Sequence, residues 1–195
     1  MKKSLVNIVS NLMTGLIVTG AILVGKAAAS DNNAANIVAE PMPQIETTNE
    51  DFLIFDEKVY PEVHCLALNI YYETRGSNLA DHYAVADVVL NRTNDNRWPN
   101  TICGVVKQGY KHTGGQMKRN QCQFSWYCDG KADVPQDEDS WIRAQTVAWK
   151  MVYYGNMRGI TEGANHYHAS YVDPSWAADM QIVGRIGAHI YYRWN

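Results

Sequence analysis

The 195-residue sequence lacks several features that would place it in a common protein class. It has no basic excess, since 17 Lys and Arg residues face 20 Asp and Glu residues for a net charge of −3. This argues against a nucleic-acid-binding protein. Beyond one stretch near the N-terminus, no apolar segment is long enough to cross a bilayer. The length suits one domain with a sizeable core and not comfortably two.

Cysteines are few, and their spacing is not that of zinc ligands. Cys65, Cys103, Cys122 and Cys128 contain no C-x-x-C pair, which argues against a zinc site built from them. In an exported protein an even number indicates disulfides, and four cysteines allow three pairings. Cys122 and Cys128 bracket a short segment and are the preferred pair. Cys65 flanks an apolar helical stripe, and we expect it to be a free thiol in the core.

The N-terminal segment has the composition of an export signal. Lys2 and Lys3 precede an apolar run over residues 12–24 and three alanines at 27–29. We predict a signal over residues 1–29 that is cut after Ala29, with an uncleaved or releasable signal anchor as the alternative. The protein is then exported to the periplasm or cell envelope, and it contacts the membrane only through this segment. The mature chain would carry 14 basic and 20 acidic residues, a net charge of −6.

The remainder predicts a tether followed by one α+β domain. Residues 30–58 contain two prolines and an acidic stretch without periodicity, which is typical of a flexible tether. We predict helices over residues 61–74, 77–92 and 141–154 and a short helical turn over 101–108. Alternating and aromatic residues bounded by glycine predict strands at 164–169 and 185–193. Residues 109–120 are expected to form a loop, and the domain at 59–195 is expected to be a monomer.

Glu73 is the most informative residue of the sequence. Val63, Leu66 and Ile70 recur at helical spacing, and Glu73 falls next on this apolar stripe. A carboxylate in this position is partly desolvated and lies near the negative end of the helix dipole, which raises its pKa. Both effects favour the protonated carboxyl group that a general acid needs near neutral pH. The alternative is a structural glutamate paired with Arg75 or another cation.

Three further patches are candidates for binding or chemistry. Residues 122–128 place aromatic, amide and hydroxyl side chains together, as on a sugar-binding surface or in a stapled surface loop. On a strand, His166 and His168 point the same way, which suits a metal site, substrate orientation or a structural pair. No third metal ligand is evident, and we predict neither a metal nor a cofactor. The strand around His189 either lines a cleft with one face or is an ordinary half-buried strand.

A fourth feature is a run of positive charge without a neighbouring acid. Lys107, Lys111, Lys118 and Arg119 lie in a stretch that contains no Asp or Glu. The run is either a solvated loop or a surface that meets an anionic polymer.

Six short motifs follow one another along the chain. They are Tyr72-Glu73-Thr74-Arg75-Gly76, Val88-Val89-Leu90-Asn91-Arg92, Trp98-Pro99-Asn100-Thr101, Cys122-Gln123-Phe124-Ser125, His166-Tyr167-His168 and Ile186-Gly187-Ala188-His189-Ile190-Tyr191-Tyr192. In this order they resemble the SleB-type cell-wall hydrolases, the family of the spore cortex-lytic enzyme catalytic domain. The resemblance covers residues 61–194, and the histidine pair and the cysteines are closer to the branch from Gram-negative bacteria and phages.

The resemblance implies a lysozyme-like α+β domain that cleaves the glycan strand of peptidoglycan, with Glu73 as the catalytic acid. Hydrolysis by the usual routes needs two carboxylates, and the motifs supply only Glu73. A lytic transglycosylase manages with one, because the C6 hydroxyl of the substrate attacks the anomeric carbon and leaves a 1,6-anhydro-muramic end. If the enzyme is a hydrolase, Asp129 and Asp173 are the candidates for the second carboxylate. The substrate-binding candidates are Gln123, Ser125, Trp126, His166, Tyr167, His168 and His189.

Two other functions remain open at this point. One is a zinc amidase or peptidase that acts on the stem peptide with His166 and His168 as ligands. The other is a non-catalytic protein that binds the cell wall. The position of Glu73 on an apolar stripe favours an enzyme over the wall-binding protein.

Overall fold

Helix α1, Pro61–Thr74, is the central element of the structure, a computed structural model that describes residues 56–194. Pro61 begins the helix with a preset backbone angle, and Gly76 follows its end with a positive φ of 87°. The helix is buried on most sides, with Leu66, Ala67 and Ile70 inaccessible to solvent. The predicted signal and nearly all of the predicted tether lie outside the described residues.

Three further helices surround α1, and a side-chain cap begins each one. Asn78 caps α2 (Leu79–Thr93), Thr101 caps α3 (Ile102–Val106) and Asp137 caps α4 (Glu138–Tyr154). Gly155 ends α4 with a φ of 63°. The predicted helices are thus confirmed, although α4 begins at Glu138, three residues before the predicted start, because Asp137 is its cap. None of the helices within residues 56–194 has the length and apolar character to cross a membrane.

A three-stranded antiparallel sheet packs against α2. Its strands are β3 (His166–Ala169), β4 (Gln181–Ile186) and β5 (His189–Arg193), with β5 in the middle. The prediction of one strand over residues 185–193 is wrong, because Gly187, with a φ of 57°, turns the chain back between β4 and β5. Tyr191 lies opposite Tyr167 and is fully buried against Ala84 and Val88 of α2.

A second antiparallel pair, β1 (Gly109–Lys111) and β2 (Met117–Cys122), forms a surface hairpin. The predicted loop over 109–120 is therefore wrong. Its glycines and charges are typical of loops, but the strands bury little side-chain surface and therefore do not need an apolar face. Short 3₁₀ segments at Ser125–Cys128 and Ser175–Asp179 complete the described chain.

Two disulfides join these elements. The predicted Cys122–Cys128 pair is confirmed, with Cα atoms 6.1 Å apart. The prediction of a free Cys65 is wrong, because Cys65 is bonded to Cys103 with a Cα separation of 5.2 Å. The start of α3 lies over the start of α1, where the Glu62 carboxylate accepts a hydrogen bond from the backbone N–H of Cys103 at 3.2 Å. This packing brings together two cysteines that are 38 residues apart.

Candidate active site

A cleft runs between the end of α1, the sheet and the disulfide-closed loop 122–128. It consists of two cavities of about 520 and 350 Å³. Both are lined by Glu73, Ala169, Tyr171 and His189, so these residues mark the junction of the two halves. The Glu73 carboxyl group is therefore accessible from both directions along the cleft.

Glu73 lies in the last turn of α1, where its carboxyl group is partly buried. Burial raises the pKa of Glu73, and a hydrogen bond from Tyr167 and the charges of His189 and Arg92 oppose this rise. Arg75, the alternative partner considered from the sequence, donates to the Tyr71 hydroxyl at 3.3 Å instead. No basic side chain of residues 56–194 lies within ion-pair distance of Glu73.

Tyr167 is the direct partner of Glu73. It projects from β3, and its hydroxyl donates a hydrogen bond to Glu73 Oε2 at 3.2 Å. Burial and the nearby Glu73 charge raise the pKa of Tyr167 well above its ordinary value. The phenol therefore keeps its proton and remains a donor when Glu73 is a carboxylate.

His189 is held at the junction by a buried carboxylate. Asp81, on α2, is 0% exposed and lies 3.0 Å from His189 Nδ1. The other donors to the Asp81 carboxylate are the hydroxyls of Ser77 at 2.6 Å and Tyr191 at 2.8 Å and the backbone N–H of Ala188 at 3.3 Å. Burial alone would raise the pKa of Asp81, but the hydrogen bonds from His189, Ser77 and Tyr191 outweigh it and hold this pKa below its usual range. Because a carboxylate accepts hydrogen bonds, His189 Nδ1 is the donor, and the Nε2 edge is left for the cleft.

Arg92 brings a buried cation to the smaller cavity. It is 5% exposed, and its Nε donates to the backbone oxygen of Asn165 at 2.8 Å. The guanidinium lies 5.6 Å from the ring centre of Trp98 and 5.5 Å from that of Phe124. Its Nη1 has no hydrogen-bond partner in the described chain. This charge supports the ionised form of Glu73 without forming an ion pair with it.

Five of the predicted substrate-binding residues lie in the cleft with Glu73. They are Gln123, Ser125, Tyr167, His168 and His189. Trp126 does not: it is 8% exposed, stacks on Tyr72 and donates to Asn69 Oδ1 at 3.2 Å, so it belongs to the core. His166 does not line the cleft either, because its ring lies among those of Trp98, Trp176 and Trp194.

The two histidines of β3 share a face, as predicted, and each contacts Trp176. His166 Nδ1 is 2.8 Å from Asn165 Oδ1, and burial, with the charges of Arg92 and Arg97, lowers the pKa of His166 to about 4. Both nitrogens of His168 are occupied, Nδ1 by the Ala169 carbonyl at 3.0 Å and Nε2 by the Tyr192 hydroxyl at 2.9 Å. Within residues 56–194 no group of three His, Cys, Asp or Glu side chains could hold a metal ion.

Asp129 and Asp173 do not reach the cleft. Asp129 accepts a hydrogen bond from the backbone N–H of Lys131 at 2.8 Å, and Asp173 is exposed to solvent. Asp129 and Asp173 line neither of the two cavities. Among the described residues that line them, Glu73 is the only one with a carboxyl group.

Three residues of the site were missed from the sequence: Asp81, Arg92 and Tyr171. Asp81 and Arg92 lie on the same stripe of α2 as the buried Val85 and Val88, so the signal that identified Glu73, a charge on an apolar helical face, was present for both. Tyr171 is 87% exposed at the cleft and follows β3 in an irregular segment, where no sequence signal marks it.

The match to a protein family decides the identity of the chain. A family model described as Cell Wall Hydrolase matches residues 76–192, more than half of the sequence. The chain belongs to the cell wall hydrolase family. The resemblance predicted from the motifs is thereby confirmed, and the protein is an enzyme. The matched range begins three residues after Glu73 and does not include it.

A solved structure confirms the fold of this cell wall hydrolase. The catalytic domain of the germination-specific lytic transglycosylase SleB from Bacillus anthracis superposes with a TM-score of 0.51 at 22% identity, covering 68% of this chain and 93% of that domain. The catalytic domain of the Bacillus cereus SleB protein gives 0.48 at 22% identity, covering 68% of this chain and 89% of that one. No curated protein matches the chain in sequence. The predicted α+β, SleB-like fold is thus confirmed.

Proposed function

We propose that this cell wall hydrolase is a lytic transglycosylase that cleaves the peptidoglycan glycan strand between N-acetylmuramic acid and N-acetylglucosamine. The observation that carries this proposal is the position of Glu73, which is the only carboxyl group among the described residues that line the cleft. A hydrolase of the usual kind needs a second carboxylate beside the scissile bond. The family supports a cell-wall substrate and action in the cell envelope, and the Bacillus anthracis domain of similar fold is itself described as a lytic transglycosylase.

In the first step, protonated Glu73 donates its proton to the oxygen that links the two sugars. The bond from this oxygen to the anomeric carbon of the muramic residue breaks, and an oxocarbenium-like centre forms. Glu73 becomes a carboxylate, which is stabilised by the hydrogen bond from Tyr167 and by the charge of Arg92. The raised pKa of Glu73 makes the proton available at the start of this step.

In the second step, the C6 hydroxyl of the same muramic residue attacks its anomeric carbon. The Glu73 carboxylate takes the proton of this hydroxyl as the new C–O bond closes. The product has a 1,6-anhydro-muramic end, no water is consumed, and Glu73 ends protonated again with the proton of the C6 hydroxyl, while its first proton stays on the leaving sugar. One carboxyl group thus acts as acid and then as base.

The other cleft residues hold the sugars. The exposed ring of Tyr171 offers a flat apolar face to a pyranose ring at the junction of the two cavities. Gln123 and Ser125 present an amide and a hydroxyl to sugar hydroxyl and acetamido groups. His189, oriented by Asp81, presents its Nε2 edge beside Glu73.

Mass spectrometry of the soluble fragments released from purified peptidoglycan tests this proposal. The full chain should release fragments with anhydro-muramic ends, and Glu73→Gln should release roughly a thousandfold less because it lacks the proton donor. Glu138→Gln, which changes an exposed acid at the start of α4, is the matched control and should retain activity.

Other products would contradict the proposal in distinguishable ways. Reducing muramic ends would mean that water replaces the C6 hydroxyl, and His189 with Asp81 would become the candidate base. Free stem peptides, or undiminished release by Glu73→Gln, would exclude Glu73 as the acid.

A further inference from the structure

A basic cavity lies apart from the cleft, between α3, the β1–β2 hairpin and loop 122–128. Its volume is about 580 Å³, and it shares no lining residue with either cavity of the cleft. Lys107 and Lys111 line it, and no Asp or Glu does. The run of positive charge seen in the sequence thus borders a concave surface.

The two lysines of this basic cavity form no ion pair within residues 56–194. Neither Lys107 nor Lys111 lies within 4 Å of a carboxylate oxygen. Both side chains are exposed. The cavity therefore offers two cations to a ligand.

Both disulfides hold the walls of the basic cavity. Cys103 lines it and is bonded to Cys65 of α1. Cys122 pairs with Gly109 across the hairpin and is bonded to Cys128, which follows the lining residue Tyr127. Walls that are fixed before binding reduce the entropy lost when a ligand is bound.

Loop 122–128 joins the basic cavity to the cleft. Gln123, Phe124 and Ser125 face the cleft, whereas Tyr127 lines the basic cavity. One loop thus contacts both sites.

We propose that the basic cavity binds a carboxylate of the stem peptide borne by the polymer that Glu73 cleaves. This inference rests on the proposed function. The sugar backbone of peptidoglycan has few charges, and the stem peptides that branch from it carry free carboxylates and amide N–H donors. Lys107 and Lys111 would meet the carboxylate with charge-assisted hydrogen bonds. With a net charge of −3 the chain would otherwise repel this anionic branch.

The test measures binding separately from cleavage. In a Glu73→Gln background, binding of the full chain to sacculi freed of phosphate-bearing polymers is measured by sedimentation. Binding to glycan strands stripped of their stem peptides is measured on immobilised strands. Lys107→Gln/Lys111→Gln should bind stem-bearing sacculi roughly five- to tenfold more weakly, an effect that salt reduces. The same pair should bind the stripped strands as the parent does.

Matched variants and a parallel digestion make the outcome decisive. Lys150→Gln removes an exposed charge of α4 and should not change binding, and Lys107→Arg/Lys111→Arg should restore it. Equal binding of the glutamine pair and the parent to stem-bearing sacculi would overturn the inference. A loss that persists on stripped strands would also overturn it, and a loss confined to sacculi that keep their phosphate polymers would assign the site to phosphate. Fragment release by the chain with Glu73 intact tests the proposed function independently.

Discussion

At the scale of single residues, the acidity of Glu73 is set by opposing influences. Burial raises the pKa of Glu73, whereas the Tyr167 hydroxyl, His189 and Arg92 favour the carboxylate. The proposed acid must carry a proton before the glycosidic bond breaks, so activity is full below this pKa and falls as the pH rises through it. The alkaline limb of the pH–activity profile thus reports the environment of Glu73.

Replacing Tyr167 with phenylalanine should move this limb. The variant loses the hydrogen bond that stabilises the Glu73 carboxylate, so the pKa of Glu73 rises further and the alkaline limb of kcat/KM shifts to higher pH. At the optimum, activity should fall roughly ten- to a hundredfold, the usual effect of losing a hydrogen bond to a charged group. Tyr154→Phe, at an exposed position of α4, is the control. A reduced rate with an unmoved limb would show that Tyr167 does not set the acidity of Glu73.

The sequence predicts Glu73 but not the group that orients His189. The evidence for Glu73 lies within one helix, where its spacing from Val63, Leu66 and Ile70 places it on a buried face. Asp81 and His189 are 108 positions apart and meet only when β5 packs against α2. Local periodicity carries no information about such a pair, so its discovery required the tertiary structure.

At the scale of elements, the helices can be predicted from the residues at their ends, whereas the strands cannot. Pro61, Asn78 and Gly155 mark helix ends through backbone geometry and capping bonds that depend on neighbouring residues alone. Strand β4 was missed because the alternation of apolar and polar residues continues through the turn at Gly187. The β1–β2 hairpin was missed because its strands lie on the surface, where sheet formation does not require an apolar face.

The turn between β4 and β5 also shapes the site. We therefore expect the site to be sensitive to a methyl group added at Gly187. Gly187 has a positive φ of 57°, and a Cβ there would lie 2.5 Å from Asp81 Cβ. Gly187→Ala should therefore displace Asp81 and lower both the free energy of unfolding, by roughly 2–4 kcal/mol, and the activity. Gly163→Ala is the matched control, because its φ is 82° but its Cβ would meet no atom within 4 Å. Urea unfolding and activity assays compare the two, and equal effects would mean that backbone strain alone is responsible.

At the scale of the whole molecule, the two disulfides connect different parts of the chain around the cleft. Cys65–Cys103 joins α3 to the first half of α1, the helix whose other end carries Glu73. Cys122–Cys128 closes the loop that supplies Gln123 and Ser125 to the cleft. The first bond spans 38 positions and the second only 6, so they restrict the unfolded chain to different extents.

Removing one disulfide at a time should change the free energy of unfolding and the KM to different extents. Cys65→Ala/Cys103→Ala should lower the free energy of unfolding by about 4 kcal/mol and Cys122→Ala/Cys128→Ala by about 2 kcal/mol, because the longer loop gains more entropy when it is released. The second pair should nevertheless raise KM more, since it frees Gln123 and Ser125 while α1 still holds Glu73. Urea unfolding and fragment-release kinetics on the two variants measure these effects. If the Cys65–Cys103 variant shows the larger rise in KM at temperatures where both remain folded, the position of Glu73 depends on α3, and loop 122–128 keeps its shape without its disulfide.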